Sequence, residues 1–201
     1  MRASTVIGTA VAAAVLVGAT SFVSMRTLGG TAIAAEPIEY RVLATLKTST
    51  LEKELNEAAE AGFRFVTVMG GETTFGGKEG VAVIARKPGA RGRYAYRLLA
   101  TLKTSTMEKE LQEAADAGYE YRDQTVFESA FGGKEVAVIM ERDKSADAFR
   151  SQYKLFATLK TSTLQKELDD AGNNGYDLVG MTVGRTAFGG KELVAITRRT
   201  R

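Results

Sequence analysis

Two short segments that could bind a ligand each occur three times in this sequence. The heptapeptide Ala-Thr-Leu-Lys-Thr-Ser-Thr occupies residues 44–50, 100–106 and 157–163, and the pentapeptide Phe-Gly-Gly-Lys-Glu occupies residues 75–79, 131–135 and 188–192. Lysine ammonium groups beside the free N–H groups of a helix N-terminus suit a bound anion. These residue types therefore indicate anion binding as the first chemistry to consider.

Other kinds of site chemistry are limited by the residues that the sequence lacks. The 201 residues include no Cys and no His, which excludes disulfides, thiolate zinc sites, thiol nucleophiles and Ser-His-Asp catalysis. An enzyme that relies on Lys, Ser, Thr, Tyr or carboxylates is the remaining catalytic alternative, but no single asymmetric cluster of such residues stands out. We therefore predict a non-enzymatic protein without a cofactor or a bound metal.

The repeated segments belong to a larger unit that begins at Tyr40, Tyr96 and Tyr153. In the first copy, residues 40–47 alternate as a strand does, and an apolar stripe at helical spacing follows, formed by Leu51, Leu55, Ala58 and Ala59. A glycine ends this helix, and two further β-prone segments are joined by a Gly-Gly turn. Each unit is therefore predicted to be β-α-β-β.

Two details of the helices are predicted from their end residues. Ser49 and Glu52 have the spacing of a capping box, which recurs as Ser105 with Glu108 and as Ser162 with Gln165. In the third copy, Gly172 and two asparagines replace good helix formers. We expect the second half of that helix to fray or to be held by packing.

The predicted fold class is α+β, with three tandem β-α-β-β repeats at residues 38–87, 94–142 and 151–200. Placing the third strand in the middle makes every strand pair antiparallel, which gives a three-stranded sheet of order 1-3-2 with one helix per unit. A unit of about 48 residues is marginally stable alone, so we expect the units to pack together. A closed pseudo-trimer and a linear array both satisfy the sequence, and the free strand edges of a linear array would favour self-association.

This chain order places the end of the first strand, the start of the helix and the Gly-Gly turn at one end of each unit. The predicted binding residues at these three tips are Lys47, Ser49, Lys78, Lys103, Ser105, Lys134, Lys160, Ser162 and Lys191. The alternative is structural: the serines cap helices, the glycines form turns, and the lysines pair with neighbouring glutamates. A second repeated set, expected to pack in the core or between units, is aromatic and comprises Tyr40, Tyr96, Tyr153, Phe75, Phe131 and Phe188.

The N-terminal 35 residues differ from the rest of the chain. They contain Arg2 and Arg26 but no acid, an uncharged apolar stretch at residues 6–23, and a small-x-small motif at 32–34. This pattern favours a cleaved secretory signal, with an uncleaved membrane anchor as the alternative, and either places the repeats outside the cytoplasm, in the periplasm or secreted. The remainder has 25 basic against 24 acidic residues, so no nucleic-acid partner is expected.

The repeat unit resembles a small bacterial β-α-β-β family of unknown function. Members of that family have an aromatic-rich first strand, a Leu-rich helix that ends in Gly-Trp, and a last strand that ends in Arg. Here Tyr40, Gly62 and Arg86 match this outline, while Phe63, Tyr119 and Tyr176 stand in place of the Trp. The resemblance implies a fold and no particular activity.

Repeats usually supply extended surface rather than one catalytic constellation. We therefore expect an exported, non-enzymatic repeat protein that acts by surface binding or assembly, with another protein or a second copy of itself as partner. The alternative is a protein that binds a small anion or other small molecule at the three tips. Contact with a membrane is expected only through an uncleaved N-terminal segment.

Overall fold

Nine strands and three helices are found in the part of the chain that the computed structural model describes, which comprises residues 36–72, 78–101, 104–128, 134–147, 150–185 and 191–200. The first repeat contains β1 (Glu39–Thr45), α1 (Thr48–Glu60), β2 (Arg64–Glu72) and β3 (Lys78–Arg86). The second contains β4 (Tyr94–Thr101), α2 (Thr104–Asp116), β5 (Glu120–Glu128) and β6 (Lys134–Asp143). The third contains β7 (Ser151–Thr158), α3 (Thr161–Asn173), β8 (Asp177–Arg185) and β9 (Lys191–Thr200).

Each repeat forms its own three-stranded antiparallel sheet. The strand orders are β1-β3-β2, β4-β6-β5 and β7-β9-β8, so the last strand of each repeat lies in the middle. This arrangement lets the first two strands run in the same direction while every hydrogen-bonded pair stays antiparallel. The predicted α+β fold of three β-α-β-β repeats with sheet order 1-3-2 is confirmed.

The helix N-termini differ from the prediction. Lys47 and Lys160 are the N-cap residues, in extended conformation and without a side-chain cap, so the capping boxes of Ser49 and Ser162 are wrong. Because α1 begins at Thr48, the Lys47 carbonyl accepts the first helical N–H groups, and Ser49 already lies inside the helix. Glu52 is directed to the next repeat, as described below.

The end of the third helix is continuous despite its glycine and asparagines. Helix α3 spans 13 residues, as α1 does, with Leu164 and Ala171 buried. The second half of the helix, which was expected to fray or to be held by packing, is thus helical as far as Asn173 and contains one buried side chain, that of Ala171.

Successive repeats are packed so that the helix of one covers the first strand of the next. Helix α1 lies on β4 and α2 lies on β7, while β2 also packs against β5 and β5 against β8. The first core joins α1 and the first sheet to Tyr96 and Ile139 of the second repeat, and a second core does the same one repeat later. Among the described elements, no comparable packing joins the first repeat to the third, so the three described repeats form a linear array.

The N-terminal segment at residues 1–35 lies outside the described residues, so its predicted role as a signal or anchor stays a prediction. Within the described ranges, no helix has the length and apolar character needed to cross a membrane.

Candidate functional site

The three predicted tips are only partly described. Ser49 and Ser162 are exposed, and so are three of the lysines, Lys47, Lys160 and Lys191. Lys103 lies outside the described residues, as do the side chains of Ser105, Lys78 and Lys134 and the three Gly-Gly turns. The predicted clustering of lysines around the turns therefore stays a prediction.

A groove beside the first tip has a volume of about 490 Å³ and includes Ser49 in its lining. Three carboxylates, from Glu52, Glu110 and Glu113, line it together with one guanidinium, from Arg97. Because like charges repel, this excess of carboxylates gives an anion no electrostatic support at this position.

The outer edge of β4 is closed by side chains of α1. The Asn56 side chain accepts a hydrogen bond from the Tyr96 N–H and donates one to the Tyr96 carbonyl, both at 2.9 Å. The Glu52 carboxylate accepts from the Leu98 N–H at 2.7 Å. We call this arrangement the helix-to-edge clasp, and it satisfies backbone groups that an edge strand would otherwise leave free.

The amide part of this clasp has a counterpart at the second junction, formed by a longer side chain. Gln112 of α2 accepts from the Tyr153 N–H and donates to the Ser151 carbonyl, both at 3.2 Å. Sequence reasoning missed the clasp, because it concentrated on residues identical in all three copies. The available signal was an amide side chain at equivalent helix positions in the first two repeats.

Two of the repeated tyrosines also join neighbouring repeats. The Tyr96 hydroxyl accepts from the Phe65 N–H of the previous repeat at 2.8 Å and donates to Glu141 at 2.8 Å. The Tyr153 hydroxyl accepts from the Tyr121 N–H at 2.8 Å. Burial raises the pKa of both phenols above the ordinary value, so both remain neutral donors and acceptors at neutral pH.

The prediction that the repeated aromatics pack in the core or between units is confirmed for Tyr96 and Tyr153, which are 3% and 4% exposed. It is wrong for Tyr40, which is 63% exposed. Within the described residues, no helix or sheet of another repeat covers this ring. The three phenylalanines of the set, Phe75, Phe131 and Phe188, lie outside the described residues.

A buried carboxylate marks the first junction. The Glu141 side chain is 1% exposed and accepts hydrogen bonds from Tyr96, from Arg64 at 2.9 Å and from Arg122 at 2.9 Å. This carboxylate in turn holds the pKa of the Arg64 guanidinium above its ordinary value. The ion cluster thus joins β2 of one repeat to β5 and β6 of the next.

The second junction reverses these charges. The residues at the positions equivalent to Arg64 and Glu141 are Glu120 and Arg198, whose charged groups lie 3.7 Å apart. Reversing the signs discourages wrong pairings between repeats, because a mismatched junction would bring like charges together.

The outer face of the first sheet is apolar, and no other repeat covers it within the described residues. Val42 lies opposite Val83, while Ala44 and Met69 both lie opposite Val81, and residues directly opposite in antiparallel strands share a face. We call this surface the head face; it consists of Tyr40, Val42, Ala44, Met69, Val81 and Val83. At the equivalent positions of the second repeat, Tyr96, Ala137 and Ile139 are buried against the first repeat.

The opposite end of the array exposes a second apolar surface on β8 and α3. We call it the tail face; it consists of Leu168, Leu178, Met181 and Val183. Leu178 is 51% exposed, whereas its equivalents Phe65 and Tyr121 are each 8% exposed. Leu168 is half-buried, whereas its equivalent Leu111 is fully buried, because no further repeat among the described residues packs on α3 as β7 packs on α2.

Comparison with known proteins gave no match to any protein-family model, any curated protein or any solved structure. The three β-α-β-β repeats are thus a finding of the structure, and membership of a particular bacterial family stays an interpretation of the sequence.

Proposed function

We propose that this protein is an exported, non-enzymatic repeat protein that binds another protein chain through the apolar faces at the ends of its array. One observation carries the proposal: Tyr40 and Val42 are 63% and 62% exposed, although Tyr96, which is equivalent to Tyr40, is buried by a neighbouring repeat. The head face has the composition of a packed interface with no described residues covering it.

The chemistry of the head face suits a protein partner. Contiguous exposed apolar surface on a protein commonly marks an interaction site. A tyrosine beside aliphatic side chains supplies a rigid anchor with a polar tip, which is a frequent centre of binding energy at protein interfaces.

The edge of β1 supports the same proposal. β1 lies at the edge of its sheet, and the backbone groups of Tyr40 correspond to those that Asn56 binds on Tyr96. No side chain within the described residues makes such a clasp on Tyr40. An edge strand with free backbone groups beside an apolar face is an attractive surface for another chain.

Export is part of the proposal because of the N-terminal sequence, with its basic start, apolar stretch and small-residue motif. The proposal also includes membership of the bacterial β-α-β-β family of unknown function that the repeat resembles.

Photo-crosslinking in the exporting cell tests this function. A photo-reactive phenylalanine analogue is placed at Val42 of the full-length chain, and a control chain carries it at Lys53, whose side chain is 76% exposed on the outer side of α1. We expect a covalent adduct with a protein from position 42 and little from position 53. Equal or absent labelling at position 42 would contradict binding through the head face.

A further inference from the structure

We infer that the partner is a second copy of this chain, with the head face of one copy docked on the tail face of the next. The inference rests on the proposed function, because it requires that the end faces bind protein. The junction between copies would repeat the two junctions that already exist within each chain.

The head and tail faces are the two halves of one interface that the chain forms twice. In the first junction, Leu55 and Phe65 of one repeat pack with Tyr96 and Ile139 of the next. In the second, Leu111 and Tyr121 pack with Tyr153 and Ile196. Leu168 and Leu178 of the tail face are equivalent to the residues that the preceding repeat contributes to each junction. Tyr40 and Val83 of the head face are equivalent to the residues that the following repeat contributes.

The acceptors needed for a clasp are also present on α3. Gln165 and Asp169 stand at the positions of Glu52 and Asn56, and both are exposed. They hydrogen-bond to each other at 2.8 Å. In the inferred junction, Gln165 accepts from the Val42 N–H of the next copy and Asp169 accepts from its Tyr40 N–H.

Two interactions of the internal junctions are missing between copies. Asp169 cannot donate to the Tyr40 carbonyl as Asn56 donates to that of Tyr96. Asp177 stands at the position of Arg64 and Glu120, but Ala85 stands at the position of Glu141 and Arg198, so no ion pair forms. The junction between copies is therefore weaker than the internal ones, and association depends on protein concentration.

The geometry of such an assembly is heterologous, because different surfaces of the two copies meet. A heterologous junction leaves one head face and one tail face free at the ends of every oligomer. It generates an open filament unless the rotation between copies closes a ring.

Single-cysteine variants test this inference, since the chain has no cysteine of its own. One full-length chain carries Val42→Cys and a second carries Gln165→Cys, and both are treated with a short thiol-specific crosslinker, separately and mixed. We expect covalent dimers in the mixture at several times the yield of either variant alone. The double variant Glu52→Cys with Leu98→Cys is the positive control, because these positions meet within one chain.

The other outcomes overturn the inference in distinguishable ways. Dimers formed by Val42→Cys alone would show head-to-head association, which leaves the proposed function standing. Adducts from position 42 in cells with a different protein, without dimers in the purified mixture, would likewise reject only the second copy as partner. A photo-adduct between the photo-reactive side chain at position 42 and residues 1–35 of the same chain would show that this segment occupies the head face. That result, or no crosslinking of position 42 to any protein while the positive control reacts, would reject both proposals.

Discussion

At the scale of single residues, the junctions depend on polar side chains that are buried by the neighbouring repeat. Glu141 is a buried carboxylate at the first junction, and it is stabilised by two arginines and a tyrosine. A buried charge is tolerated only when it is paired and hydrogen-bonded. The arginines differ from Glu141, since their side chains are 45% and 36% exposed.

This difference in exposure predicts which side chains of the cluster cost more stability when they are removed. Replacing both Arg64→Ala and Arg122→Ala leaves the Glu141 charge buried without a cation, and we expect the unfolding free energy to fall by about 3–5 kcal/mol. Glu141→Gln leaves two partly solvated arginines, and we expect a smaller loss of about 1–3 kcal/mol. Denaturant unfolding measures both, and Lys53→Ala, which breaks the exposed pair with Glu57, is the control. A larger loss from Glu141→Gln than from the double variant would refute this account.

The buried tyrosines predict a loss of stability at alkaline pH. Burial raises the pKa of Tyr96, Tyr121 and Tyr153 in the folded protein, while an unfolded tyrosine titrates near pH 10. Their stabilising contribution is therefore complete below about pH 10. It declines above that pH by up to about 1.4 kcal/mol per pH unit for each tyrosine, because only the unfolded chain releases these protons.

Tyr96→Phe with Tyr153→Phe isolates this effect from the titration of lysines, which the variant retains. We expect the variant to be less stable at pH 7, because two backbone N–H groups lose their acceptor. The difference from the unmodified chain should shrink as the pH rises from 10 to 12, as followed by urea unfolding. A constant difference over that range would show that these tyrosines do not titrate differently in the two states.

At the scale of helices and strands, α1 and α2 both form the core of their own repeat and close the edge of the next. The apolar stripe that predicts the helix accounts for the first role. The second depends on Asn56 and Gln112, beside that stripe. These side chains could not be identified from repeated identity, because the three copies carry Asn56, Gln112 and Asp169 at this position.

The clasp predicts different consequences for equivalent positions. Asn56→Ala leaves the N–H and carbonyl of Tyr96 without partners, and we expect a loss of about 1–3 kcal/mol. Asp169→Ala removes a side chain that binds no strand edge among the described residues, and we expect a change within about 0.5 kcal/mol. Thermal and denaturant unfolding at low protein concentration would measure both in the unassociated chain. Equal losses of stability from the two variants would mean that Asn56 stabilises α1 itself and not the contact between α1 and β4.

Two glycines, one inside a helix and one directly after a helix, are expected to respond in opposite ways to replacement by alanine. Gly172 lies inside α3, where an added Cβ would meet no atom within 4 Å, so we expect Gly172→Ala to stabilise the protein by about 0.5–1 kcal/mol. Gly62 follows α1 with a φ of +87°, and its added Cβ would lie 2.4 Å from the Ala90 carbonyl oxygen. Gly62→Ala is the matched control and should destabilise. A loss of stability from Gly172→Ala would show that α3 has another constraint at this position.

At the scale of the whole molecule, the linear array follows from the packing of each helix against the next repeat along the chain. Because α1 covers β4 and α2 covers β7, β1 and α3 are the elements that lack the equivalent partner from another repeat among the described residues. Three nearly equivalent units therefore have unequal surroundings, and function is expected at the ends.

A charge on the head face should separate folding from binding. Val42→Asp places a carboxylate on an exposed position, so we expect stability to change by no more than about 1 kcal/mol. Association with the partner chain, measured as concentration-dependent mass, should be lost. Leu98→Asp is the matched control at the equivalent internal position, where half-buried packing predicts a loss of at least about 2 kcal/mol. Association that persists in the folded Val42→Asp variant would exclude the head face as the binding surface.

The fold could be predicted closely because it depends on local patterns. The apolar stripe from Leu51 to Ala59, the glycine after each helix and the alternation in the strands all act within a few residues. Helix starts were less predictable, since Ser49 has the sequence of a cap but the observed N-cap, Lys47, lies two residues earlier. The candidate surface was only partly anticipated, as free edges in a linear array, and its residues were not identified.

The sequence by itself determined the three repeats, the order of their elements and the chemical classes that the missing cysteine and histidine exclude. Only the tertiary structure decided which copy of a repeated residue is buried. Tyr40 and Tyr96 begin the same segment of their repeats, yet one is 63% exposed and the other 3%. Local sequence sets backbone conformation, but burial depends on the neighbouring element: the first repeat packs on Tyr96, and no described element packs in that way on Tyr40.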